Sequence, residues 1–95
     1  MNMSEVTDRR SRILEIVNRY PVGNVRVFGS VVRGENRPES VIDFLVRTEP
    51  GCSLLHLGGL LQDLEDLLGC SVDVVTEDGL KPRLREKILG EAVPL

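Results

Sequence analysis

The sequence predicts an α/β (α+β) fold: a mixed sheet of three or more strands with helices packed mainly on one face. Segments with apolar residues at helical spacing alternate with short β-branched runs in the order αβ(α)βαβα, which implies one sheet with helices laid against it. Pro and Gly punctuate the junctions, at Pro21, Gly23, Gly29, the "EPG" of 49–51, Gly69 and Gly79. The chain is 41% hydrophobic but carries only one Tyr, two Phe and no Trp, so its core must be built from Leu, Val and Ile.

The first helix is expected over 7–20, with Thr7 or Ser4 as its cap and Ile13, Leu14, Val17 and Tyr20 as its apolar stripe. "NVRVF" (24–28) reads as a strand with Val25 and Val27 on one face, and 30–34 as a single helical turn after Gly29. "SVIDFLV" (40–46) is the second strand. Ser53 caps a helix over 54–68 whose stripe is Leu54, Leu57, Leu61, Leu64 and Leu68, and Gly69 suits its C-terminal cap. Gly58 and Gly59 weaken that helix by about 1 kcal/mol each relative to Ala, a cost consistent with close packing there. "SVDVVT" (71–76) is the third strand, and a last helix lies near 83–90.

A length of 95 residues suits one small domain over 1–95. No apolar run approaches the roughly 20 residues of a membrane span, and "MNMSEVTDRRSR" lacks the apolar centre of a signal peptide. A cytoplasmic protein with no membrane association is the expectation. Cys52 and Cys70 are too far apart for a CxxC site and read as reduced, packed thiols; His56 reads as an ordinary helix residue. The net charge of −3 argues against stable direct binding of nucleic acid. The charge is uneven: "DRRSR" (8–12) and "KPRLREK" (81–87) are basic and "QDLEDLL" (62–68) is acidic, patterns that suit solvated faces or partner surfaces.

The chemistry gathers in "FGSVVRGENRPESVIDFLV" (28–46). A glycine after a strand lets a backbone N–H approach a phosphate, and a serine opening a helical turn adds a hydroxyl to the same anion site. Gly29 and Ser30 stand in that arrangement, and Arg33 follows one turn later as a cation. A Gly-Ser pair alone is most often only a turn; its position before a second strand that carries an acid gives it weight. Alternation places Ile42, Phe44 and Val46 on one face and Val41, Asp43 and Leu45 on the other. In the third strand Asp73 lies opposite Val72 and Val74. If the two strands are neighbours, Asp43 and Asp73 stand side by side, where mutual repulsion favours a hard cation such as Mg²⁺ between them.

These residues resemble a known family. "GSVVRGENRPESVIDFLV" is similar to the signature GSxxRGE…SDIDLLV of the minimal nucleotidyltransferases, DNA-polymerase-β-like domains that act as MntA-type antitoxins beside HEPN toxins. The resemblance extends through "LLQDLEDLLGCSVDVVTEDGLKPRLREKILGEAVPL" and so covers nearly the whole chain. It implies that Gly29 and Ser30 hold the triphosphate of ATP and that the two acids of the SDID motif bind two Mg²⁺. The acid of the third strand, Asp73, completes the site and helps activate the attacking hydroxyl. The second SDID acid is Asp43; the position of the first holds Val41. Lys81, Arg83, Arg85 and Lys87 fall in a segment that in this family lies close to the cleft, so they belong either to a solvated helix face or to a nucleotide or toxin contact.

The resemblance implies an ATP-dependent protein adenylyltransferase that transfers AMP to a tyrosine of its HEPN ribonuclease toxin. Valine supplies neither ligand atoms nor charge, so activity is expected to be impaired. Glu35 and Glu39 are nearby acids; Glu39 shares the strand parity of Val41 but lies about 7 Å along the chain from it. Two alternatives stand beside an active enzyme: a catalytically dead module that neutralises the toxin by contact, and nucleotide addition to RNA or a small molecule. The second is weakened by the lack of room for a further substrate-binding domain in 95 residues.

Overall fold

The computed structural model describes residues 1–95. The elements are α1 (Met3–Asp8), α2 (Arg10–Val17), β1 (Val22–Phe28), α3 (Ser30–Arg33), β2 (Ile42–Thr48), α4 (Leu54–Leu68), β3 (Val72–Thr76), a 3-10 turn (Glu77–Gly79), α5 (Pro82–Glu91) and β4 (Val93–Pro94). The four strands lie in the order β3-β2-β1-β4. β2 runs antiparallel to β1 and parallel to β3, and β4 is antiparallel to β1, so the sheet is mixed as expected.

Strand alternation sorts the side chains as the sequence predicts. Ile42, Phe44 and Val46 are buried with Val22, Val25, Val27 and Val72 under α2 and α4, whose Ile13, Ile16, Val17, Leu60, Leu64 and Leu68 complete an aliphatic core. Each such side chain contributes about 1.5–3 kcal/mol on burial, so β2, lined on both sides by strands, is the stable centre that carries the site.

Several local expectations are corrected. The single helix expected over 7–20 is two helices broken at Arg9, whose backbone (φ −99°, ψ 10°) leaves the helical basin. Neither Thr7 nor Ser4 caps it. Asn2 does, accepting from the Glu5 amide at 2.8 Å while Glu5 returns the bond to the Asn2 amide. Tyr20 lies beyond the helix and donates to Asp63 Oδ2 of α4 at 2.5 Å. A Cβ on Gly59 would sit 3.0 Å from that hydroxyl, so Gly59 permits the contact; a Cβ on Gly58 would meet nothing within 4 Å, so Gly58 serves no such purpose. In α4 the Ser53 cap is present, reinforced by His56, whose Nδ1 accepts from the Ser53 amide at 3.0 Å. Leu54, placed in the apolar stripe from sequence, is 85% exposed, and Leu60 takes the buried role.

The sheet face away from α2 and α4 is not bare. Leu45 is fully buried there, although Arg26 and Leu45 are register partners on the same face as Asp43. Arg26 is itself buried, donates from Nε to the Asn24 carbonyl at 3.0 Å, and pairs with Glu77 of the 3-10 turn. Removing either partner would leave a charge without its counterpart in a poorly solvated place. Arg85 donates to the Glu77 carbonyl at 3.0 Å, tying α5 to the same turn. No helix is long and apolar enough to cross a membrane.

Candidate functional site

The site forms where β1 ends and β2 and β3 begin. Phe28 pairs with Asp43, and Asp43 with Asp73, so the two acids are direct neighbours across the parallel β2–β3 ladder. Their shared face follows from the alternation that turns buried Ile42, Phe44 and Val72 and partly buried Val74 to the other side. Asp43 is half-buried and Asp73 exposed. Burial, and then the charge of Asp73, push the Asp43 carboxyl above its ordinary range, with Glu91 adding to the rise and Arg33 opposing it.

Gly29 lies against Asp43. Its backbone (φ 80°, ψ −153°) occupies a region essentially closed to other residues, and a Cβ there would stand 2.3 Å from Asp43 Oδ2. Glycine at 29 is therefore required twice, by its dihedrals and by the carboxylate beside it. Ser30 opens α3, and Arg33 closes it before the left-handed Gly34.

One participant was missed in the sequence. Glu91, the last residue of α5, accepts from the Gly29 amide at 2.8 Å and from Arg33 Nη1 at 2.9 and 3.0 Å through its two oxygens. Arg33 Nε is bound to Glu35 Oε2 at 3.0 Å. Burial alone would raise the Glu91 carboxyl, but the Gly29 amide and the Arg33 guanidinium outweigh it and hold Glu91 below the usual range. No local pattern marked Glu91, because its partners lie 58 and 62 residues earlier.

Val41 precedes β2 rather than lying in it, and it is 40% exposed. Glu39, given the strand parity of Val41 from sequence, lies in the exposed segment before the strand, so strand parity does not apply to it. No three His, Cys, Asp or Glu side chains converge on a common ion position. The donor set suits one hard cation: two adjacent carboxylates, with the remaining positions left for phosphate oxygens and water, the pattern Mg²⁺ prefers. Val41, where the sequence resemblance implies a further carboxylate, offers no oxygen ligand. Of the basic residues of α5 and its N-cap, Arg85 is engaged with Glu77, while Lys81, Arg83 and Lys87 are exposed.

The raised Asp43 carboxyl has a measurable consequence. A carboxyl held high in the folded state stabilises the fold fully only below its unfolded value, and that contribution is lost as pH rises through the folded value. Asp43→Asn, which cannot ionise, is therefore expected to be more stable than the parent by about 0.5 kcal/mol near pH 7 and no more stable near pH 3. Thermal melts at the two pH values check this; a less stable variant near pH 7 would contradict the repulsion described.

Two adjacent carboxylates stand beside a strand–Gly-Ser–helical-turn junction, and residues 10–95 match the nucleotidyltransferase domain family. The chain belongs to that family. Among its relatives is protein adenylyltransferase MntA of Thermococcus cleftensis, 42% identical over 83% of this chain and 80% of that protein. A solved structure assigned to the minimal nucleotidyltransferases superposes with a TM-score of 0.89 at 48% identity, covering 100% of this chain and 97% of the other. The fold also recurs, at 17% identity and a TM-score of 0.70 over 93% of this chain and 69% of the other, in a complex of tri-AMPylated Shewanella oneidensis HEPN toxin with MNT antitoxin. At that identity the likeness is one of fold alone.

Proposed function

We propose that this chain is the antitoxin of a toxin–antitoxin pair. It binds ATP at Gly29, Ser30 and Arg33, docks a HEPN-domain ribonuclease, and transfers AMP to a tyrosine of that partner at a rate much reduced by Val41. The observation that carries the reading is the register pairing of Asp43 with Asp73 beside the Gly29 amide, which sets two carboxylates next to an anion site. The names of its relatives and the complex just described support the acceptor class.

In this reading Asp43 and Asp73 hold one Mg²⁺, which when bound neutralises phosphate charge. The Gly29 N–H and the Arg33 guanidinium orient the β- and γ-phosphates. The tyrosine oxygen attacks the α-phosphorus, the bond to the bridging oxygen breaks, and pyrophosphate leaves. Asp73, the more exposed acid, accepts the phenolic proton. Val41 leaves the site short of a carboxylate, so transition-state charge is under-compensated.

A binding module that acts by contact is the second reading, favoured by that same Val41. Both predict a stable complex and protection by occupancy. Titrating this chain against the ribonuclease activity of its HEPN partner should silence the toxin only near equimolar amounts, with little gain from ATP. Full silencing by a tenth of an equivalent or less (about 10-fold turnover), and only with ATP, would mark an unimpaired enzyme.

A further inference from the structure

Gly29 has a single backbone N–H, and Glu91 Oε1 already takes it at 2.8 Å. Arg33 is likewise engaged, by both oxygens of Glu91 and by Glu35. A phosphate oxygen that used the same donors would have to stand where the Glu91 carboxylate stands. The two groups are chemically alike: planar or tetrahedral oxyanions that accept charge-assisted bonds from an amide and a guanidinium. The closed arrangement also sets the Glu91 carboxylate within electrostatic reach of Asp43.

The element that carries Glu91 is loosely held. α5 buries none of its residues, and its Leu84 and Leu89 are 41% and 37% exposed. Beyond it, β4 is two residues long and pairs with the outer side of β1 through Arg26↔Pro94 and Val27↔Val93. Apart from Glu91, the ties of α5 to the rest of the fold include one hydrogen bond from Arg85 to the 3-10 turn. Moving its end costs little apolar burial, so the segment belongs to the low-stability part of the structure.

We infer that Glu91 is an internal stand-in for phosphate: it closes the anion site of Gly29 and Arg33, and nucleotide binds by displacing it and loosening the end of α5. The inference rests on the reading of that site as a nucleotide site. Apparent affinity for nucleotide is then the intrinsic affinity reduced by the fraction of molecules with the latch open. Through the latch, nucleotide occupancy is coupled to the position of α5 and so to whatever contacts that helix makes.

The test is calorimetric titration of the whole chain with AMP-PNP and Mg²⁺, and separately with tripolyphosphate, alongside backbone amide spectra. Glu91→Gln and Glu91→Ala are compared with Glu86→Gln, which removes the same charge from an exposed position of the same helix. Glu91→Ala is expected to bind both probes about tenfold tighter, Glu91→Gln to fall between it and the parent, and Glu86→Gln to match the parent. In the parent, either probe should shift the Gly29 amide and the α5 amides together. Tighter tripolyphosphate binding without AMP-PNP binding by any variant keeps the latch and removes the nucleotide reading. Equal or weaker binding of tripolyphosphate by both Glu91 variants, no binding by either, or the same gain from Glu86→Gln overturns the latch.

Discussion

Val41→Asp is expected to raise AMP transfer to the partner by about 10²–10³-fold, the scale of restoring several kcal/mol of transition-state stabilisation. The aspartate would enter immediately before β2, two residues from Asp43, at a position already 40% exposed. It would add oxygen ligands where the chain now offers methyl groups. The fold should tolerate the change, because Val41 is outside the main core and outside the ladder. Pyrophosphate release in the presence of ATP, Mg²⁺ and the proposed HEPN partner measures it. Equal rates for the parent and the variant would mean that another group supplies the missing charge, and the impairment assigned to Val41 would have to be abandoned.

Gly29→Ala is expected to remove nucleotide binding and to destabilise the fold by about 3 kcal/mol or more, through backbone strain and a close contact together. A methyl group at 29 would stand 2.3 Å from Asp43 Oδ2, so β1 and β2 must separate or Asp43 must rotate away from Asp73. Either movement dismantles the site. Gly34→Ala is the informative control. Gly34 also has a positive φ, 72°, but nothing lies within 4 Å of the position its Cβ would take. Its cost should stay near 1 kcal/mol, the penalty of left-handed backbone alone. Chemical denaturation of the two variants separates strain from steric conflict. Similar losses in both would show that the contact with Asp43 contributes little.

The parts of this site that lie on regular strands were legible from sequence. Side-chain alternation is strict over β2 and β3, so the apolar positions at 42, 44, 46, 72 and 74 force Asp43 and Asp73 onto the other face. Pairing the two strands then needs only the choice of register. The Ser53 cap was legible for a similar reason, since a short polar side chain before an apolar helical run has few other roles.

Elsewhere the sequence admits several solutions and tertiary packing chooses. α4 has leucines at 54, 55, 57, 60, 61, 64, 67 and 68, enough for more than one apolar stripe. Which of them face the sheet depends on how the helix is placed across it, and that placement leaves Leu54 and Leu55 in solvent. The break at Arg9 carries neither Pro nor Gly, so no local signal announces it. β4 is a two-residue strand ending in proline, held by β1 rather than by its own propensity. Glu91 is hardest of all. Its helix has exposed residues on every side, and its meaning comes only from partners at 29 and 33.

The most direct test is the intact mass of the proposed HEPN partner after incubation with ATP, Mg²⁺ and a small fraction of an equivalent of this chain. The partner is expected to remain largely unmodified with the parent chain and to gain AMP when Val41→Asp replaces it under the same conditions. Complete modification of the partner by the parent chain at that fraction would contradict it, because Asp43 and Asp73 would then suffice for full turnover without a carboxylate at 41.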